Sequence, residues 1–284
     1  VTPIQKGVTS FNFTYPLFSV YQFWSKNRNI HFGYYRWGMN PFRLEGMLEA
    51  MNDFVASQLG LQGDTGGWIL DIGCGYGTTV RQLLRNHPNL HLVGVGMDEG
   101  QIKAASASCR ASFFVADFES IPLPAESFDA AFGLESFCFA KGQSKEGVVK
   151  EAARLLLPGA PLVVVDGFLK KGHEMPMPVR FLYKKAIKAW GMEGLPVLGD
   201  FLQTLEKQGF DSIKVQYLAW RMAPSLLHVP RVCSCLLFAY LRSKDASLLG
   251  YCKALLLTFL LTPFNRYFGY YAVTCRKSAV RWKN

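Results

Sequence analysis

Ile69-Leu70-Asp71-Ile72-Gly73-Cys74-Gly75-Tyr76-Gly77-Thr78 joins an apolar run, cut by one acid, to a turn with glycine at every second position. Residues 68–72 read as a buried strand, and residues 79–84, apolar along one side, as the helix that follows. A strand that turns into a helix through glycines marks the carboxyl edge of a parallel sheet, where open α/β folds bind their ligands. Glycine belongs there because a β-carbon would hold the backbone away from a nucleoside, and because the tight turn uses φ angles other residues avoid. Taken alone the turn leaves dinucleotides and other nucleoside cofactors equally open.

The flanking sequence repeats the alternation. Residues 90–95, 113–116, 128–134 and 162–165 read as further strands, and residues 101–108 and 145–157 as helices. A helix over residues 199–208 and strands over 212–218 and 270–276 complete the pattern. The expected fold is α/β: a Rossmann-like, doubly wound, mostly parallel seven-stranded sheet with helical lid insertions. The insertions are residues 170–196 and 220–268, rich in Leu, Phe and Tyr, which break the alternation. They read either as lids over the ligand edge or as core-capping or dimer-contact helices.

Composition narrows the function classes. With 284 residues, 50% of them apolar, the chain can bury one large core plus an elaboration. The formal charge of +10 is compatible with an anionic membrane surface, a nucleic acid or an acidic substrate. The cations are scattered, with only short clusters such as Lys170-Lys171 and Lys184-Lys185, which points to a solvated surface and away from nucleic acid. Cys74, Cys109, Cys138, Cys233, Cys235, Cys252 and Cys275 stand at irregular spacing with no zinc-binding pattern, so no metal is implied and reduced thiols in the cytoplasm are expected. The first ten residues show no apolar run behind a basic start, so no signal peptide is expected. The most apolar stretch, residues 254–264, is too short to span about 30 Å of hydrocarbon but suits a place on a membrane surface.

Three further segments separate the cofactor classes. A dinucleotide site usually has an acid about twenty residues beyond the glycines, but in Leu92-Val93-Gly94-Val95-Gly96-Met97-Asp98-Glu99-Gly100-Gln101 that position is Gly96. Val115-Ala116-Asp117-Phe118 puts Asp117 at the next strand end, and Ile121-Pro122-Leu123-Pro124-Ala125-Glu126-Ser127-Phe128-Asp129 leads into the fourth strand. In order and spacing these segments resemble class I S-adenosylmethionine-dependent methyltransferases. The resemblance implies that Asp71 bonds the amino acid part of S-adenosyl-L-methionine within the turn of Gly73, Cys74, Gly75 and Gly77. It also implies that Asp117 accepts from the adenine amino group, with Phe118 offering an amide and an apolar face. Gly96 departs from the common class I pattern but is similar to a subgroup, the tocopherol, sterol and cyclopropane-forming lipid methyltransferases, where a later Gln meets the ribose. That role falls on Gln101, with Met97 on the same edge, and Asp98 is either a second ribose ligand or a helix cap.

The acceptor side resembles the same subgroup. Gly133-Leu134-Glu135-Ser136-Phe137-Cys138-Phe139-Ala140 is similar to a sterol C-methyltransferase stretch that would put Glu135 at the pocket mouth. An Asn-Pro-Pro-Tyr motif of base methylation is absent. Asn29-Ile30-His31-Phe32-Gly33-Tyr34-Tyr35 resembles a segment that folds over the cofactor, which makes His31, Tyr34 and Tyr35 lid candidates, with Tyr35 toward the cofactor. Glu135 and His31 are the candidate bases and Tyr34 a third catalytic candidate; His87, His91, His173 and His228 have no such context. The ending Phe268-Gly269-Tyr270-Tyr271-Ala272-Val273-Thr274-Cys275-Arg276-Lys277 is similar to the last strand of tocopherol methyltransferases.

The expected division is a helical lid over residues 1–60, a cofactor domain over 61–219, an acceptor-binding insertion over 220–268, and a strand and tail over 269–284. The expected acceptor is small and lipophilic, with peripheral membrane contact and a homo-oligomer both open. Aromatic residues, 14% of the chain, suit either a cation-stabilising pocket or an ordinary core. C-methylation of an isoprenoid or sterol-like acceptor, N- or O-methylation of a lipophilic natural product, and cofactor binding without methyl transfer are the three readings carried forward.

Overall fold

The computed structural model describes residues 20–170 and 174–279. Its sheet has seven strands in the order β3-β2-β1-β4-β5-β7-β6. β1 (Gly67–Ile72), β2 (Leu90–Gly96), β3 (Ser112–Val115), β4 (Ala130–Leu134) and β5 (Pro161–Leu169) run parallel, and β7 (Phe268–Lys277) lies antiparallel between β5 and β6 (Phe210–Tyr217). The glycine turn leads from β1 into α2 (Thr78–Asn86), and Asp98 caps α3 (Glu99–Ser106) by accepting from the Gln101 amide at 2.7 Å. α4 (Glu146–Leu155) and α6 (Leu198–Lys207) cover one face, and α1 (Leu44–Gln58) packs on the other together with α2 and α3.

Because side chains alternate along each strand, both faces of the sheet are apolar. Leu70, Ile72, Val93 and Val95 pack with Val148, Ala152 and Phe201 on one side. Ile69, Leu92, Phe132 and Val163 pack with Met51, Phe54 and Val80 on the other. α1 packs on the sheet through Met51, Phe54 and Val55, and through Leu44, Met47 and Leu48 it shares the core of the helical layer; residues 1–19, with Phe11, Phe13 and Phe18, lie outside the described residues. β7 likewise belongs to the sheet, which joins residues 269–277 to the unit expected over 61–219.

The two insertions are helical. α5 (Met177–Trp190), α7 (Ala219–Leu226), α8 (Val229–Ser243) and α9 (Ala246–Leu261) form a layer beside the carboxyl edge of the sheet. Tyr21 and Trp24 share a core with Leu226, Val232, Leu236 and Leu255 of that layer. The apolar run of residues 254–264 proves to be part of a longer helix, started by the Asp245 cap. Two helical stretches, Ala219–Ser243 and Ala246–Phe264, are long and apolar enough to cross a membrane by length and composition.

Candidate active site

The glycine turn has the geometry that a close-approaching ligand requires. Gly73, Gly75 and Gly77 have φ of +97°, +51° and +66°, in the left-handed region. A β-carbon on Gly75 would lie 2.6 Å from Ile30 Cδ1 and 3.6 Å from Gln101 Oε1, so Ile30 and the Gln101 side chain close over the turn. Asp71, next to last in β1, is almost fully buried, with no hydrogen-bond partner for its carboxylate among the described residues. Burial pushes its carboxyl well above the usual range. An unpartnered acid beside a glycine cradle fits the ammonium-bearing end of S-adenosylmethionine.

Other predicted cofactor residues divide by what their side chains touch. Cys74 Sγ points back between the strands, 2.8 Å from where a β-carbon on Gly94 would lie, and the Gly73 and Cys74 amides both donate to Val95 O. The Cys74 thiol thus packs against the sheet. Gly96 admits Ile102, whose Cδ1 would be 3.0 Å from a β-carbon there, and Met97 packs partly buried against the core. Asp117 turns to its own loop, accepting from the Glu119 amide at 3.0 Å with Lys141 Nζ at 3.9 Å. The Phe118 ring is spent in the core, which leaves only its backbone for an adenine.

A cavity of about 320 Å³ opens beside this edge, beneath the helical layer. Its wall is mostly aromatic and aliphatic and includes Tyr21, Trp24, Phe139, Trp190, Trp220 and Tyr251. Ile30 lines the cavity and also covers Gly75, so the segment 30–32 is a wall shared by the cavity and the glycine turn.

Two acids face the cavity. Glu135, at φ +51° just after β4, is fixed by its amide, which donates to Val165 O at 2.7 Å. Its Oε1 accepts from the Tyr270 hydroxyl at 2.6 Å and from the Phe32 amide at 2.7 Å. The surface Glu135 retains is turned to the cavity, and burial pushes its carboxyl up to about 8 against the pull of those two donors. Asp166 on β5 accepts from the Cys138 and Gly167 amides at 3.0 and 2.7 Å, and burial holds it at about 6. Sequence reasoning missed Asp166 and the pairing of Tyr270. The signal for Asp166 is an acid closing the all-apolar run Leu162-Val163-Val164-Val165; Tyr270 reaches Glu135 only through the β5–β7 pairing, across 135 positions.

His31 also lines the cavity. Its Nδ1 is 2.9 Å from Phe32 O and its Nε2 3.2 Å from Asn29 Oδ1. Burial lowers its pKa to about 4, so the ring is neutral at pH 7. Behind it Asn52 donates to Asn29 Oδ1 at 3.2 Å and to Gln82 Oε1 at 2.8 Å, which anchors the segment to α1 and α2. Tyr34 and Tyr35 do not line the cavity. Tyr34 stacks on Phe54 at 4.6 Å, and the Tyr35 amide donates to Arg221 O at 2.8 Å. The glycine between Phe32 and Tyr34 sets this direction, because a β-carbon on Gly33 would strike Met47 Cβ at 2.5 Å and the chain there lies flat on α1. Tyr34, expected as catalytic, thus packs on α1, and the backbone of Tyr35, expected toward the cofactor, is tied to α7.

Residues 69–159 match a family model described as a methyltransferase domain. Cycloartenol-C-24-methyltransferase of Arabidopsis thaliana is 29% identical over 174 residues, 58% of this chain and 50% of that protein. The cyclopropane synthase MmaA2 from Mycobacterium tuberculosis has a similar structure, with TM-score 0.75 at 20% identity over 90% of this chain and 94% of that one. Geranyl diphosphate C-methyltransferase from Streptomyces coelicolor, solved with S-adenosyl-L-homocysteine, gives a TM-score of 0.66 at 15% identity over 87% of each chain. Residues 69–159 carry a methyltransferase domain, and in sequence and fold the chain resembles class I S-adenosylmethionine-dependent methyltransferases. Within that class it resembles the sterol C-methyltransferase group, although it spans about half the length of the curated relatives it matches.

Proposed function

We propose that the chain transfers a methyl group from S-adenosylmethionine to carbon of a small lipophilic acceptor of isoprenoid or sterol-like type. The observation that carries this is the buried Glu135–Tyr270 pair facing an apolar, aromatic cavity that shares a wall with the glycine turn. Asp71, the glycine turn and Gln101 would hold the cofactor's amino acid and ribose parts, with Gly96, Met97, Asp117 and the Phe118 backbone at its adenine end. When bound, the cofactor supplies an electrophilic methyl on a sulfonium.

Everything else falls to the protein. The helical layer excludes water, and the cavity wall aligns the acceptor with the methyl. An alkene that gains a methyl becomes a cation. Tyr21, Trp24 and Tyr251, which line the cavity, would stabilise it, and the Glu135 carboxylate would take the neighbouring proton, restoring the double bond. Tyr270 and the Phe32 amide hold Oε1 and so fix the carboxylate's orientation, while neutral His31 serves to shape the wall. The seven free cysteines favour a reducing compartment such as the cytoplasm.

Labelled S-adenosylmethionine with a panel of prenylated, sterol and phenolic acceptors tests this. Label on carbon, lost in Glu135→Gln and Asp71→Ala, is the expected result. Label on oxygen or nitrogen would replace the carbon reading with the heteroatom one. Cofactor binding without transfer would favour the non-methylating reading.

A further inference from the structure

Four helices of the ligand-edge layer carry charge of one sign only. α5, α7, α8 and α9 contain eight cations, Arg180, Lys184, Lys185, Lys188, Arg221, Arg231, Arg242 and Lys253, and no acid. The same helices show large apolar side chains to solvent. On α9 the exposed residues Leu249, Lys253, Leu256 and Leu260 recur at intervals of three and four, a continuous stripe along one helix face. On α8 Phe238 is 58% exposed with Leu241 at 57%, and on α5 Phe181 is 61% exposed.

Cations sit directly against these apolar groups. Lys185 Nζ lies 4.3 Å from the Phe181 ring centroid and Arg242 Cζ 4.5 Å from that of Phe238. The helices are tied together: Trp190 Nε1 donates to Thr258 Oγ1 at 2.8 Å between α5 and α9, and the Cys233 thiol on α8 donates to Cys252 O on α9 at 3.7 Å. We propose that this face is a docking surface for a bilayer with anionic headgroups, the leucines and phenylalanines entering the interface and the cations meeting the lipid phosphates. Two copies of the face would set cations against cations, which disfavours a self-association surface. A nucleic acid would leave the leucine stripe without a partner.

The position of the face gives docking a consequence. Trp220, 78% exposed on α7, and the exposed Thr262 and Asn265 just beyond α9 line the cavity described above, so its mouth opens through the same helical layer. A lipophilic acceptor dissolved in the bilayer would reach the cavity without crossing water. Docking itself stands apart from the methyl-transfer reading, since it needs neither cofactor nor acceptor.

The test is flotation of the purified full chain with vesicles of phosphatidylglycerol and phosphatidylcholine, or of phosphatidylcholine alone, with no cofactor or acceptor present. The expected result is binding at least about tenfold stronger to the anionic vesicles and weakened several-fold at about 0.5 M salt. Lys184→Glu/Lys185→Glu/Lys188→Glu should lose about tenfold in affinity, and Phe238→Ser/Leu241→Ser should also weaken binding, both with unchanged thermal midpoint. Absence of binding to anionic vesicles, or equal binding by the folded charge-reversed variant, overturns the proposal. So does a stable dimer that Phe238→Ser dissolves. Methyl transfer to detergent-dispersed acceptor, measured on the same variants, is expected to be unchanged, which separates failure of docking from failure of catalysis.

Discussion

The Tyr270 hydroxyl donates a 2.6 Å hydrogen bond to Glu135 Oε1, joining the last strand of the sheet to the end of β4 inside the cavity. That bond favours the ionised carboxylate, whereas burial opposes it and pushes the carboxyl up to about 8. A base in this state is protonated at neutral pH and gains activity as pH rises through about 8. Glu135→Gln is expected to lower kcat/KM by roughly 10²–10⁴-fold and abolish the rise. Tyr270→Phe should retain the rise but move its midpoint to higher pH, because one donor to the carboxylate is lost. A pH profile of kcat/KM with all three proteins checks this, and a wild-type profile flat between pH 6 and 9 would remove Glu135 as the base.

Asp71 and Gly73 separate cofactor binding from folding at adjacent positions. Asp71→Asn keeps the shape and removes a carboxylate that burial disfavours, so the fold is expected to hold while affinity for S-adenosylmethionine falls about 100-fold, the loss of a charge-assisted pair in a buried site. Gly73→Ala acts on the fold. Its φ of +97° is strained for alanine, and its β-carbon would be 2.2 Å from Ser136 Cβ, whose hydroxyl is tied to Ile72 O. A cost of about 3 kcal/mol is expected. Calorimetric titration and thermal melting, run on both variants, tell the two effects apart.

These contrasts mark what a linear sequence carries. The glycine turn, the strand alternation and the positions of Asp71, Gln101 and Glu135 were legible, because period and turn chemistry act over a few residues. The fate of side chains was not. Tyr34 and Phe118 stand beside motif residues, but Phe54 stacks on one and the core absorbs the other. Asp166 becomes a neighbour of Glu135 through the parallel pairing of β4 with β5, and Tyr270 only because β7 returns antiparallel against β5, pairings no local pattern encodes. The length of α9 was understated for a related reason: Asp245 starts the helix, and the apolar run begins only in its second half.

His31 gives the protein an acid sensitivity of defined sign. Its pKa falls from the ordinary 6.5 to about 4 on burial, so between those values the folded chain binds fewer protons than the unfolded one. The stability present above pH 6.5 is therefore lost as pH falls toward 4, by up to about 3 kcal/mol. His31→Gln, which has nothing to protonate, should show a shallower decline over that window, even if it starts from a lower value. Denaturant midpoints at pH 7, 6, 5 and 4 measure the slope, and parallel declines in both proteins would exclude His31 as its source.

The cavity itself can be tested by filling it. Ala186 lies on α5, 3% exposed, and its side chain lines the cavity between Tyr183 and Trp190. Ala186→Phe adds a ring to a space of about 320 Å³ without touching the glycine turn, Asp71 or Gln101. If that space receives the acceptor, KM for a large, rigid acceptor should rise at least about tenfold while a short prenyl acceptor is affected less, because lost cavity volume excludes by size. Affinity for S-adenosylmethionine should stay within about twofold of the wild type, since small changes of that order are ordinary for sites with no shared partner. Equal loss for long and short acceptors, with weakened cofactor binding, would mean that the ring had distorted α5 instead. Thermal melting of the variant decides between the two: an unchanged midpoint together with size-dependent KM assigns the cavity to the acceptor.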